Sequence, residues 1–347
     1  MTIRLSICIA TYNRAAFISQ TLDAVLPQLT DECELVVVDG ASTDNTRDVV
    51  AGYEAEWPAL RYFRLPEKGG IDKDYDLSVQ YARGEYCWLF SDDDIIKPGG
   101  VERVLHLIDQ MPLSMIIVNA EARSADLREL QQSSVCAIAQ DKIYTPAHME
   151  AILAELGVYL SFIGCVIIKR EIWMARNREK YYGTAFIHIG VIFQSPLPAN
   201  TAYVAEPLIV IRFGNASWTA RSFDIWMLQW PRLIWGFPQY SDTAKRAITR
   251  KEPYRSKAVM IMTRAQDGLD RAIYKNKWRP LLNRRFDQLM AQLIVGIPAP
   301  LLNFGVLTAF KLLRPQHKLM QVNLTTSKAY YRNALGLSQK SAEEAGR

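Results

Sequence analysis

Paired cysteines, clustered histidines, repeats and a leader-like N-terminus are all missing from this 347-residue chain. Its five cysteines (Cys8, Cys33, Cys87, Cys136 and Cys165) stand singly and its four histidines keep no metal-ligand spacing, which excludes a disulfide scaffold and a zinc module. A reducing compartment is expected. Residues 1–9 lack the basic stretch, apolar core and cleavage site of a signal peptide and read as an opening β-strand, so the chain is expected in the cytoplasm. There is no low-complexity tract, and 49% hydrophobic with 22% charged residues excludes disorder, collagen and coiled coil. Length allows one large domain or two smaller ones.

What is present is unevenly spread. Residues 1–100 carry 9 basic and 17 acidic side chains, whereas residues 221–347 carry 22 basic and 8 acidic ones, a surplus of +14. An acidic N-terminal part suited to a cation and a basic C-terminal part suited to phosphate or anionic lipid follow from that gradient. No nucleic-acid motif accompanies the basic part, so nucleic acid is not an expected partner. The division expected is a first domain over 1–220 and a helical, basic region over 221–347.

Short apolar runs at 5–10, 34–38, 61–65 and 85–90 alternate with helix-spaced segments at 17–26, 47–53 and 74–83, the last with Asp72 as its expected N-cap. This alternation predicts an α/β fold with a doubly wound, Rossmann-like, mostly parallel sheet. Polar loops at 11–14, 39–46 and 91–94 then fall outside the strand ends, where ligands bind in such sheets. A helix at 101–110, a strand at 114–119, a polar loop at 123–134, a helix at 146–156 and a strand at 162–169 follow. Residues 293–310 carry no charge over eighteen positions, but Pro298, Pro300, Asn303 and Gly305 interrupt them. A helical pair in a membrane interface, or docked on the protein, is expected there. Trp226, Trp230, Trp235 and Trp278 among Lys and Arg fit either a membrane interface or a helical core.

Adjacent carboxylates Asp92-Asp93-Asp94 repel unless something positive sits among them, so they read as a site for Mn2+ or Mg2+, or as a solvated turn before the next helix. Asp39, at the end of a strand, has the chemistry to read a base N–H or ribose hydroxyls, or to cap the next helix through Ser42 or Asp44. Thr11, Tyr12, Asn13 and Arg14 offer hydroxyls, an aromatic face and a guanidinium suited to a base and a phosphate.

The strings LSICIATYNRAAFI, ELVVVDGASTDNT and ARGEYCWLFSDDDIIKPG together resemble the nucleotide-binding half of GT-A glycosyltransferases of family 2, continuously over about the first hundred residues. The resemblance implies a nucleotide-sugar donor, a metal on Asp92, Asp93 and Asp94, and displacement at the anomeric carbon. It implies Asp39 as reader of base or ribose, Thr11–Arg14 beside the nucleotide, Asp93 as principal metal ligand, and Asp92 on the ribose or metal side. The common N-x-G-x-x-x-A-x-N region is replaced by Lys68-Gly69-Gly70-Ile71-Asp72-Lys73-Asp74-Tyr75, with Lys73 placed among the nucleotide contacts. That variant is similar to the branch of abequosyltransferases of bacterial O-antigen assembly, which implies a cytidine- or uridine-type donor and a lipid-linked saccharide acceptor.

Where inverting members carry a catalytic carboxylate, residues 183–194 have none but contain His188. It is either the base for the acceptor hydroxyl or a buried, backbone-satisfied histidine; a retaining reaction would need no such base. Residues 212–218 read as a lid that brings Arg212, with Arg221, to the diphosphate, or as an ordinary connection. The expected activity is metal-dependent glycosyl transfer, hexosyl or deoxyhexosyl, at the inner membrane face. A nucleotidyltransferase and a catalytically silent sugar-nucleotide or glycan-binding module are the alternatives.

Overall fold

A computed structural model describes residues 2–214 and 221–335. The chain divides into two compact units, residues 1–213 with 233–248 and residues 214–232 with 249–347.

In the first unit the strands are β1 (Leu5–Thr11), β2 (Cys33–Asp39), β3 (Leu60–Arg64), β4 (Tyr86–Phe90), β5 (Ile95–Ile96), β6 (Leu113–Arg123), β7 (Leu130–Gln132), β8 (Lys142–Tyr144), β9 (Val166–Lys169) and β10 (Asn200–Arg212). Helices α1 (Ala15–Val25), α2 (Thr46–Glu56), α3 (Ile71–Tyr81), α4 (Gly100–Gln110), α5 (Met149–Leu156), α6 (Arg170–Ala175) and α7 (Ile187–Phe193) connect them. Every residue of β1 and β2 is buried, which is why both read as unbroken apolar runs rather than alternating ones. Helix α1 turns Ile18, Leu22 and Val25 onto the sheet at helical spacing.

The sheet order is β3-β2-β1-β4-β9-β6-β10-β5. Strands β3, β2, β1 and β4 run parallel, as the alternation predicts. Strand β9 lies antiparallel between β4 and β6, so the sheet is mixed beyond β4. The strand expected from residue 162 begins at Val166, because 159–161 and 163–165 are single helical turns. The chain winds outward from β1 through β2 to β3 and then crosses to β4 on the other side of β1. That reversal creates a crevice at the carboxyl ends of β1 and β4.

The expected boundary at 220 is displaced. Leu233–Ile248, expected in the C-terminal region, belongs to the first unit. Aromatic packing is the reason: Phe237 and Tyr240 lie 6.2 and 5.8 Å, centroid to centroid, from Phe193, whose carbonyl accepts a hydrogen bond from Gln239.

Later helices are α8 (Trp230–Trp235), α9 (Asp242–Ile248), α10 (Lys257–Ala265), α11 (Arg271–Ile273), α12 (Arg285–Gly296), α13 (Ala299–Leu313), α14 (Lys318–Thr326) and α15 (Tyr331–Ala334). The second unit has its own core, where Ala291, Ile294 and Val295 of α12 meet Phe223, Met260 and Trp278. Trp278 is fully buried and its indole N–H donates to the Tyr254 carbonyl at 3.0 Å. Trp230 is also buried, with Trp226 edge-on to it at 5.9 Å. Of the two readings of the tryptophans, the helical core is therefore correct for Trp230 and Trp278.

Candidate functional site

Strand register builds the site. Thr11 pairs with Asp39 across β1 and β2, and Ile9 pairs with Phe90 across β1 and β4, so the loops after all three strands leave one edge of the sheet together. The first two loops are hydrogen-bonded into one frame. Asn13 adopts a left-handed φ of 55°; its N–H donates to Ser42 Oγ at 2.8 Å and its Oδ1 accepts from the Thr43 N–H at 2.7 Å. The Arg14 N–H donates to Thr46 Oγ1 at 2.9 Å. Asn13 is thus committed to holding the loops, while Tyr12 remains half-buried with the Lys68 ammonium 3.5 Å from its ring centroid.

Asp39 is fully buried. Its Oδ1 accepts from the Ser42 N–H at 2.8 Å and its Oδ2 from the Tyr62 hydroxyl at 2.5 Å, with Arg64 at 3.9 Å. The Ser42 bond closes the turn after β2 and does not cap α2, which starts at Thr46, where Asp44 accepts from the Thr46 N–H at 3.0 Å.

The acidic triplet splits into a pair and a single. Arg14 donates through Nε to Asp92 Oδ1 at 3.1 Å and through a terminal nitrogen to Asp93, so one guanidinium bridges two adjacent carboxylates. Burial, then the Asp93 charge, pushes the Asp92 carboxyl up to about 6, against the pull of Arg14 and the neighbouring Thr11 hydroxyl. Asp94 faces elsewhere. Its Oδ1 accepts from the Arg212 N–H at 2.8 Å and its carbonyl from the Thr21 hydroxyl at 2.8 Å; burial and Asp93 raise its carboxyl well above the usual range.

Asp94 is therefore not placed as a third metal ligand, and among the described residues no three His, Cys, Asp or Glu side chains are gathered into a cage. Asp92 and Asp93 fit a hard divalent ion that completes its shell with water and phosphate oxygens. The cation now between them is Arg14, which such an ion would displace.

Arg212 corrects the lid expectation. At 6% exposure it ends β10, donating from Nε to the Asp93 carbonyl at 3.0 Å, from one terminal nitrogen to the Ala125 carbonyl at 2.6 Å, and from the other to Gln20. Phe17 carries the guanidinia of both Arg14 and Arg212, at 4.7 and 5.2 Å from its ring centroid. Arg212 supports the floor under the acidic pair, with each of its three guanidinium nitrogens bonded to a protein oxygen. Arg221 is exposed, and residues 215–218 of the expected lid lie outside the described residues.

Two more expectations change. Asp72 is not an N-cap: α3 starts at Ile71 behind Gly70, at φ 96°, and Asp72 instead accepts from the N–H groups of Ala185 and Ile187 at 2.8 and 3.0 Å. His188 is 1% exposed, its Nε2 donating to the Leu160 carbonyl at 2.8 Å, and burial pushes the imidazole down to about 4. A base must reach the acceptor hydroxyl. The structure places His188 inside α7 without such access, which is the buried alternative, with Nε2 satisfied by backbone and Nδ1 left without a hydrogen-bond partner.

Asp74 was not singled out by sequence reasoning. It is 3% exposed, its Oδ1 has no hydrogen-bond partner, and its Oδ2 lies 2.6 Å from where a Cβ on Gly40 would stand. Burial raises its carboxyl to about 6; Lys73 and Lys68 oppose the rise, and Asp39 and Asp72 add to it. An unmade hydrogen bond on a buried carboxylate beside Asp39 is costly unless a ligand completes it. The available signal was Gly40 itself, directly after Asp39, whose missing side chain leaves room for the carboxylate. Lys73 is exposed on the same turn of α3.

Residues 6–172 match the family described as Glycosyl transferase family 2. Over 263 residues, covering 70% of this chain and 78% of the relative, the chain is 25% identical to Abequosyltransferase RfbV of Salmonella typhimurium. Glycosyltransferase GlyG of Streptococcus pneumoniae is 24% identical over 33% of this chain and 38% of its own length. Among solved structures, TarS 1–349 of S. aureus in complex with UDP-GlcNAc superposes with a TM-score of 0.54 at 16% identity, covering 96% of this chain and 92% of that one. Mannosyltransferase PcManGT from Pyrobaculum calidifontis, in complex with GDP-Man and Mn2+, gives 0.51 at 17% identity, covering 97% and 88%. At such identities the likeness is one of fold. Residues 6–172 are thus a family 2 glycosyl transferase domain on the GT-A fold, in a chain similar over most of its length to an abequosyltransferase.

Proposed function

We propose that this glycosyltransferase takes a sugar, a deoxysugar in the abequosyltransferase-like reading, from a cytidine- or uridine-type nucleoside diphosphate donor. The acceptor is a saccharide carried on lipid at the cytoplasmic face of the inner membrane, in the assembly of a bacterial cell-surface polysaccharide. The observation that carries the reading is the Asp92–Asp93 pair, bridged by Arg14, at the switch point between β1 and β4. Similarity to an abequosyltransferase supports the sugar class.

Each residue has a task in that reading. The Tyr12 ring offers the base a stacking face, which requires Lys68 to move off it toward the phosphates. Asp39 and Asp74 together face the nucleoside, and Asp74 Oδ1 accepts from a base N–H or a ribose hydroxyl. Asp92 and Asp93 would hold Mn2+ or Mg2+, whose chemistry is to neutralise the diphosphate as it leaves. Arg14, released from the carboxylates, turns its guanidinium to a phosphate oxygen, a partner of matching geometry. Arg212 stays in place beneath and fixes the carbonyl of Asp93.

The test is release of nucleoside diphosphate from a set of nucleotide sugars with and without a lipid-linked saccharide acceptor. Acceptor-dependent release, reduced by roughly two orders of magnitude or more in Asp93→Ala, is expected for a group that stabilises leaving-group charge. Tight donor binding with no acceptor-dependent release would mean a silent sugar-nucleotide module instead.

A further inference from the structure

Thirteen large apolar side chains stand exposed among the described residues, and nine of them lie between Phe286 and Leu335. Phe286, Leu289 and Leu293 line one face of α12, spaced three and four apart, at 68%, 55% and 54% exposure. On α13 Leu301, Phe304 and Leu312 are 62%, 48% and 75% exposed. Both helices have already spent an apolar face on the core of their unit: α12 buries Ala291, Ile294 and Val295, and α13 buries Leu307. A helix apolar on both faces needs a second apolar environment.

The polar interruption in this stretch does not face outward. Asn303 is fully buried, donating to the carbonyls of Ala265 and Leu324 at 3.0 and 2.8 Å, so it clamps α13 to α10 and α14. The exposed middle is left without charge, and the cations gather at its two ends, with Arg284 and Arg285 at the start of α12 and Lys311 and Arg314 at the end of α13, all exposed. The two helices are bent by 93°, and among the described residues no single helix is long and apolar enough to cross a bilayer. Twelve and fifteen residues give helices of about 18 and 22 Å, short of the ~30 Å hydrocarbon core.

We propose that the exposed faces of α12 and α13 form a monotopic membrane-docking surface, its leucines and phenylalanines entering the acyl boundary while the flanking arginines and lysines meet anionic headgroups. The chemistry is that of an interfacial helix: an apolar face for the lipid boundary and cations for anionic phosphate. Charge decides against a second copy of this chain as the occupant, because a two-fold contact through this face brings the same cations against each other. The inference rests on the membrane reading above and names the surface that carries it.

Sedimentation of the full chain with vesicles of phosphatidylcholine, with and without phosphatidylglycerol, tests it. The wild type is expected to sediment with the mixed vesicles, less so at high salt. Leu301→Gln with Phe304→Gln is expected to lower the partition coefficient at least tenfold, and Arg284→Gln with Arg285→Gln to remove the preference for anionic lipid. Thermal midpoints within a degree or two of the wild type, with unchanged nucleoside diphosphate affinity, show that the variants are folded. Wild-type sedimentation that neither double variant changes would overturn this surface and leave the membrane reading standing. A wild type that stays in the supernatant would overturn both, leaving the donor site untouched. A concentration-dependent dimer that Leu301→Gln with Phe304→Gln dissolves would identify a second copy as the occupant and overturn the proposal.

Discussion

Asp74→Asn separates stability from function at one atom. The Asp74 carboxyl is raised from 3.8 to about 6, chiefly by burial. A carboxyl whose folded pKa lies above its unfolded one is harder to ionise in the fold. Its full contribution is present below the unfolded value, near pH 4, and is lost as pH rises through about 6. Two units correspond to ~3 kcal/mol at most, and screening at the open edge of the crevice reduces this to about 1–3 kcal/mol. The isosteric amide carries no charge and removes that cost. In a unit of this size the gain corresponds to roughly 2–10 °C in thermal midpoint. Calorimetry from about pH 4 to about pH 8 is expected to show Asp74→Asn drawing ahead of the wild type as pH passes 6, with no such gain near pH 4. The same variant is expected to bind a nucleoside diphosphate about tenfold more weakly, a loss of about 1.4 kcal/mol. A stability difference that stays flat across this range, or grows toward low pH, would refute the assignment of a buried carboxylate held above its ordinary pKa. Unchanged nucleotide affinity in Asp74→Ala, which removes both side-chain oxygens where the amide keeps one acceptor, would refute its role as an acceptor for the donor.

Other substitutions probe the rest of the account. Arg212→Ala removes a buried guanidinium from beneath the acidic pair and is expected to cost about 3–5 kcal/mol in denaturant unfolding, and Arg212→Lys, lacking the planar fork, is not expected to restore it. Both variants should lower turnover through the misplaced pair; a fully stable, fully active Arg212→Ala would contradict the floor role. His188→Gln is expected to keep the wild-type pH profile of turnover, whereas loss of one limb of that profile would reinstate the imidazole as base. Asn303→Ala strands two buried carbonyls and is expected to cost about 1–3 kcal/mol, read as an earlier unfolding step of the second unit.

The half of the fold nearest the N-terminus was legible because its signals are local. Apolar runs such as Leu35–Val38 are buried on both faces and advertise themselves by composition, and the loops that follow them fall at one edge by topology alone. Asp92 and Asp93 were legible for the same reason, since adjacent carboxylates at a strand end need a positive neighbour. Residues whose partners lie far along the chain were misread. Asp72 looks like a cap from its neighbours, but the N–H groups it takes belong to Ala185 and Ile187. Arg212 stands two residues before Gly214 and reads as part of a hinged lid, yet its partners are Gln20, Asp93 and Ala125. Composition left the tryptophans open between two readings: Trp230 and Trp278 are core, and the exposed apolar atoms belong to leucines and phenylalanines of α12 and α13, in and beside the uncharged stretch at 293–310. Asp74 escaped because its open oxygen is a property of the packing under Gly40, which no spacing records.

The central claim is that the crevice at the ends of β1 and β4 binds a nucleoside diphosphate beside Asp92 and Asp93. Titration calorimetry of cytidine, uridine, guanosine and thymidine diphosphates, each with and without Mn2+, into the wild type and Asp93→Ala tests it most directly. The account predicts Mn2+-strengthened binding of a pyrimidine diphosphate that Asp93→Ala abolishes. Absence of binding by all four, or binding indifferent to both the ion and Asp93, would contradict it.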